Sequence, residues 1–291
     1  MTGNEIMVVE DGANIAGRVV YWRLEGTLEL DVLSDAWLAA GLDEKLLPNP
    51  PTPERALKRT LQSFSSNRTL VRPLGGGVSG YALIEEHADE RRLEHAQGLT
   101  AVIDTAGERA VPALDVEPSD HEMAADVRLR YASTLMELDT RDASGWLGKL
   151  VEDVSAVGLR DKGGVYFVPR DSLPTWDRYV EVIGDVSDHH VFQIPAMRTR
   201  DAIAAVVDAI VSEATAVAGD IERDLADEDR ELGKRALRTR VERCERTLAK
   251  VGRYEELLDE KLDDVRDRIG ELRAQVATAL LMAETGEETD R

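Results

Sequence analysis

One cysteine, Cys244, leaves this chain of 291 residues without an internal disulfide or a thiolate metal site. There are five histidines, and two of them, His189 and His190, are adjacent. Neighbours in a strand point to opposite faces, so Ser187-Asp188-His189-His190 is expected to be a surface turn rather than a metal site. No metal and no cofactor are expected. Aromatic residues make up only 4% of the chain, and Trp146, Trp176, Tyr166 and Phe167 are read as core rather than as a base-stacking surface. H-E-x-x-H, C-x-x-C and G-x-S-x-G are all missing. Gly75-Gly76-Gly77 lacks the Lys-Ser/Thr that completes a phosphate loop and is expected to be a turn. With so many carboxylates, no pair stands out as an acid–base couple. The expectation is therefore a protein that is not an enzyme.

Long apolar runs are also scarce. None approaches the ~18–20 residues that cross a bilayer, and the first residues lack a charged region followed by an apolar one. No membrane span and no signal peptide are expected, and the cytoplasm is the expected compartment. Lysine is rare, at 7 of the 36 basic residues, so arginine carries most of the positive charge. That composition fits a GC-rich prokaryotic genome. A net charge of −21 disfavours a protein that coats nucleic acid or anionic membrane with its whole surface.

What the chain does have is a heptad seam. One set of positions is Leu237, Cys244, Val251, Leu258, Val265, Leu272 and Ala279; the other is Val241, Leu248, Glu255, Leu262, Ile269 and Val276. The spacing alternates four and three without a slip, and Glu255 is the one polar member. A sustained 3.5-residue repeat predicts a helix burying a narrow stripe against another helix, as in a coiled coil. A polar seam residue often fixes register at a cost in stability, so Glu255→Leu is expected to stabilise. The seam flanks are mostly basic, with Arg238, Arg240, Lys261, Arg266, Arg268 and Arg273. Upstream, residues 201–231 hold ten acidic residues against Arg223 and Arg230, along their own apolar stripe. The favoured arrangement is an antiparallel hairpin turning near 226–235, where Gly233 sits; its rival is one unbroken helix.

Ahead of the helices the chain mixes strands and helices. Gly17–Leu30 reads as a strand and Asp31–Gly41 as a helix. Thr52 can cap a helix that has Pro53 at its first position. Thr69–Leu74 and Val78–His87 form a predicted hairpin around the three glycines. Ser119-Asp120-His121-Glu122 fits a capping box. Two further helices follow, with strands at Val165–Val168 and His190–Ile194, and Thr199 or Asp201 opens the long helices. The predicted fold class is α+β: an arm (1–16), a domain with winged-helix-like order (17–118), a second α+β domain (119–197), a helical coiled-coil region (198–283) and a polar tail (284–291).

The basic stretch 54–72 is the most informative local feature, with five basic residues against Glu54 alone. Arg55, Lys58, Arg59 and Gln62 share a helix face, with Arg68 and Arg72 beyond it. This face is a candidate for contact with protein or nucleic acid; the plainer reading is that it meets the protein's own acids. The expected function is a non-catalytic interaction or assembly protein, with the seam as spacer or docking arm. Its partner would be another protein or a second copy. The alternative is a winged-helix-like DNA-binding regulator dimerising through the seam.

Overall fold

The computed structural model describes residues 15–66, 69–89, 92–104, 113–160, 163–227 and 232–286, with the backbone alone for 85–97. In chain order its strands are β1 (Ile15–Arg23), β2 (Leu28–Glu29), β3 (Thr69–Pro73), β4 (Gly80–Asp89), β5 (Arg92–Asp104), β6 (Ala113–Glu117), β7 (Glu137–Leu138), β8 (Val157–Gly158), β9 (Val165–Pro169) and β10 (His190–Met197). The helices are α1 (Leu30–Ala39), α2 (Pro53–Ser63), α3 (Ala124–Thr134), α4 (Thr140–Asp153), α5 (Leu173–Val186), α6 (Arg200–Ala226), α7 (Lys234–Leu258) and α8 (Asp263–Gly286). The protein is a mixed α+β fold with a helical C-terminal region. The chain divides into two units: Met1–Arg23 with Leu147–Glu181 and His190–Arg291, and Leu24–Trp146 with Val182–His189. Both are discontinuous in sequence, so linear boundaries at 118/119 and 197/198 do not coincide with the division.

The physical reason in the first unit is the pairing of β1. This strand lies between β9 and β10, antiparallel to both, in a sheet of order β10-β1-β9-β8. Val20 and Val168 of that sheet are fully buried. Helices α6 and α7 share a core with it: Ala16, Val157 and Phe167 pack with Val206, Ile210, Ala214, Val251, Tyr254, Leu258 and Leu262. Tyr254 ties the two layers together. Its ring sits 6.3 Å from that of Phe167, and its hydroxyl donates to the Ser155 carbonyl at 2.9 Å. The helical region is thus part of the sheet's own unit.

In the second unit, β3-β4-β5-β6 form an antiparallel meander. The predicted hairpin is present, with Gly76 and Gly77 at φ +73° and +78° in its turn, but it continues into two more strands. It is half of a four-stranded sheet rather than a free wing. Leu83, Leu99, Ala101, Ile103 and Val116 of that sheet bury against Ala56, Leu57 and Leu61 of α2 and Val127 and Tyr131 of α3. The α2 start follows the sequence reading, with the Thr52 hydroxyl accepting from the Arg55 N–H at 3.3 Å. The α3 start does not: no side chain caps the helix at Met123, whose N–H is taken by His121 Nδ1 at 3.2 Å. Trp37 and Trp146 pack at 5.5 Å and donate to the carbonyls of Asp43 and Leu46.

The predicted single helix over 237–279 is broken. Helix α7 stops at Leu258, Asp259 adopts the left-handed conformation (φ 57°, ψ 40°), and α8 starts at Asp263. Upstream, α6 ends at Ala226 and α7 starts at Lys234, and their ion pairs run antiparallel; the predicted turn itself lies partly outside the described residues. The result is three packed helices in place of two.

Candidate interaction surfaces

Helix α2 buries Ala56, Leu57, Thr60 and Leu61, which turns Arg55, Lys58, Arg59 and Gln62 away from that core. Two of these charges are spent inside the unit. Arg59 Nη1 donates to Asp142 at 3.0 Å, and Arg59 Nε lies 3.4 Å from Asp139. Arg55 pairs with Asp142 at 2.5 Å. The Arg59 and Asp142 side chains are only 16% and 12% exposed, so this pair belongs to the interior more than to the surface. Asp142 lies in the first turn of α4, where its N–H donates to Asp139. Burial pushes the Asp142 carboxyl above its usual range, and Asp139 adds to that, while Arg55 and Arg59 oppose it. Lys58, Gln62 and Arg72 are exposed, and Arg68 lies outside the described residues. The plainer reading of the basic face, that it meets the protein's own acids, is what Arg55 and Arg59 do.

The seam residues bury in two clusters within a three-helix arrangement. Leu237, Cys244, Ile269, Leu272 and Val276 bury with Ala218 and Ile221 of α6, and Val217, Val241 and Leu248 pack against them. Val251, Leu258 and Leu262 bury nearer the sheet, with Val265 beside them. Cys244 is fully buried, and burial raises its thiol pKa. Ion pairs set the register. Asp224, Asp220 and Glu213 of α6 meet Arg240, Arg243 and Lys250 of α7 at 2.6, 2.9 and 2.6 Å, an antiparallel progression. Helix α8 returns antiparallel to α7, with Arg238 on Glu284 at 2.7 Å, and lies beside α6 with Arg268 on Glu222 at 2.8 Å. Of the basic flanks, Arg240 and Arg268 therefore meet the acidic stretch of their own chain, while Arg238 meets Glu284 and Arg266 meets Glu255. Hydrogen bonds from Arg243 and Arg268 hold Asp220 and Glu222 below the usual carboxylate range.

Glu255 is the exception that explains the break. Its carboxylate accepts from the Leu262 N–H at 2.8 Å and pairs with Arg266, so it stabilises the start of α8. Glu255 is a largely buried seam residue whose two oxygens are both engaged, one by the Leu262 N–H and the other by Arg266.

One surface escaped the sequence reading. Tyr21 of β1 stacks on Phe192 of β10 with centroids 4.9 Å apart, yet the two remain 37% and 36% exposed. Ile194 and Met197 are exposed on the same strand, and the Arg23 guanidinium lies 6.0 Å from the Phe192 ring. The strand is the edge of its sheet and carries Pro195, a residue tolerated there because an edge needs fewer ladder bonds. Alternation of Phe192 and Ile194 was the available signal, but nothing local says that Tyr21 lies opposite. Of the aromatics expected in the core, Trp146, Trp176 and Phe167 are buried, and Tyr166 is partly buried against Trp22 at 5.2 Å.

Among the described residues, no three His, Cys, Asp or Glu side chains group to hold a metal ion. His189 is buried, with its Nδ1 accepting from the Glu25 N–H at 3.3 Å, and His190 begins β10. A cleft of about 230 Å³ between α6 and α8 is lined by Ala214, Thr215, Ala218, Asp264, Val265 and Arg268 with Ile269. One sequence profile, that of a family of unknown function, DUF6744, matches residues 15–286. The chain belongs to DUF6744. No curated protein and no solved structure matches it. In this DUF6744 chain α6 is long and apolar enough to cross a bilayer by length and composition, with a mean hydropathy of 1.6 over its best window. The sequence reading had found no such stretch. Asp208 and Glu213 interrupt it, and Val206, Ala209, Ile210, Ala214, Ala218 and Ile221 are buried among its neighbours.

Proposed function

We propose that this is a non-catalytic, cytoplasmic assembly protein whose C-terminal helices serve as its docking arm. The observation that carries this reading is the construction of the arm: an apolar seam buried in two clusters, matched ion pairs along three helices, and an anchor on the sheet through Tyr254. Coiled-coil packing of α7 against α8 along the 4-3 seam is the finer part of the proposal. The exposed Tyr21–Phe192 face of the sheet is a second contact surface beside it. The winged-helix alternative needs Arg55 and Arg59 free to reach DNA, and their contacts with Asp139 and Asp142 weigh against it.

The test is capture by the immobilised full chain, with and without nuclease. A defined protein partner, or a second copy, retained after nuclease supports the assembly reading. A partner lost with nuclease favours the DNA-binding one. Turnover of nucleotide, peptide or nucleic acid by the purified chain, abolished by one carboxylate or histidine substitution, would remove both.

A further inference from the structure

The turn between α7 and α8 is made by an unusual sequence. Asp259-Glu260-Lys261-Leu262 contains no glycine and no proline, and three of the four are good helix formers. The reversal rests on Asp259 in the left-handed region, φ 57°, which most L-residues disfavour and which Asp tolerates better than most but less well than Gly. Yet the seam runs through the turn in phase: Val251, Glu255, Leu258, Leu262, Val265, Ile269 keep the 4-3 spacing. A helical hairpin sets no phase between its two arms, because the loop absorbs any offset. A single straight helix facing one partner along its whole length requires it.

We propose that α8 exchanges between two copies of this chain, the Asp259–Leu262 turn straightening so that residues 234–286 form one helix. The occupant of the place left by α8 is the α8 of the second copy. The contacts of α8 are self-complementary under this exchange. Arg238–Glu284 and Glu255–Arg266 are both antiparallel pairs centred on residues 260–261. Two straight helices related by a two-fold axis at that point would remake both pairs between copies. Arg268 would find Glu222 of the second copy, and Ile269, Leu272 and Val276 would fill the same apolar site. The left-handed residue disappears at both turns, and Leu258 and Leu262 bring the seam through the axis. Short hinge loops under strain invite such exchange, which is a low-cost route to a dimer. The inference deepens the assembly reading, on which it rests, by naming the partner as a second copy.

The experiment uses the full chain with Cys244→Ala, Arg238→Cys and Glu284→Cys, treated with a short bis-maleimide after incubation over a range of concentrations. Residues 238 and 284 touch in the hairpin, where the native side chains meet at 2.7 Å. They lie roughly 70 Å apart along one straight helix. Light scattering gives the mass, and a denaturing gel shows whether the link lies within or between chains. Expected is a dimer fraction that rises with concentration and carries links between chains. Asp259→Gly, which suits the left-handed turn, should weaken dimerisation by about tenfold or more, and Asp259→Ala should strengthen it by a similar factor. Circular dichroism checks that each variant keeps its helix content. A chain that stays monomeric at every concentration, Asp259→Ala included, overturns the exchange. So does a dimer whose links stay within each chain, but that dimer leaves the assembly reading standing through another surface. A monomer that also captures nothing after nuclease removes both.

Discussion

Glu255 accepts the Leu262 N–H at 2.8 Å, and this one bond turns a seam position into a helix start. The same carboxylate pairs with Arg266 while staying only 10% exposed. Glu255→Leu therefore removes an acceptor from the α8 N-terminus and strands Arg266. The hairpin form should lose about 1–2 kcal/mol, the usual worth of such a cap. Urea unfolding of the monomeric fraction checks the sign; a gain in stability would show that the apolar seam outweighs the cap.

Arg59 and Asp142 should be coupled. Removing Arg59 leaves Asp142 beside Arg55, and removing Asp142 leaves Arg59 beside Asp139, so each loss should cost roughly 1–3 kcal/mol. Arg59→Ala and Asp142→Ala should each destabilise the chain, and the double variant should cost less than their sum by about 1–3 kcal/mol. Denaturant titration of the four chains measures this. Additive effects would mean that the pair is a surface contact of little consequence.

Much of this was legible in the sequence where the signal is local. The 3.5-residue period marks the seam, Gly233 and the lapse of the stripe mark the first turn, and Thr52-Pro53 marks the α2 start. The break at Asp259 has no glycine or proline to announce it; its one trace is Glu255, the polar seam residue, whose carboxylate takes the N–H of Leu262 seven residues on. The partners of Arg59 lie about eighty residues along the chain, and those of β1 more than a hundred, so composition near either says nothing of them. Ser119-Asp120-His121-Glu122 misled because the helix starts only at Ala124, after turns in which the His121 N–H donates to the Pro118 carbonyl and the Ala124 N–H to the His121 carbonyl.

Tyr254 is where helices and sheet share a core, so the helical region should not melt alone. The sequence favoured a separable coil. Tyr254→Ala opens a cavity costing about 3–5 kcal/mol, and Tyr254→Phe, which loses the hydroxyl's bonds to the Ser155 and Phe167 carbonyls, should cost about 1 kcal/mol. Hydrogen exchange should lose protection in β1, β9 and α7 together in the alanine variant. Protection lost in α7 while β1 and β9 keep theirs would restore the separable coil. Leu262→Asp, within the same cluster, should behave likewise.

Acid should act on Asp220 and Glu222 with a sign opposite to that on Asp142. Asp220 and Glu222 sit below the unfolded carboxylate range, so the stability they lend is present at neutral pH. It is lost as pH falls through about 4 and below, where the native carboxylates take up protons. Asp142 sits above that range, so the folded state binds its proton first and acidification toward about 4 favours the folded form. Amide NMR signals of Ala218 and Ile221 should weaken on acid titration before those of Leu83 and Ile103. The reverse order would contradict both assignments.

The central claim is that the basic face of α2 serves the fold and the chain assembles with protein. Its most direct test is fluorescence anisotropy of labelled duplex DNA with the full chain, titrated from low to physiological salt. The account predicts no saturable binding, unchanged by Lys58→Glu with Arg72→Glu, two exposed positions where charge reversal leaves the fold intact. Sub-micromolar binding that falls steeply with salt and is abolished by that double reversal would contradict it.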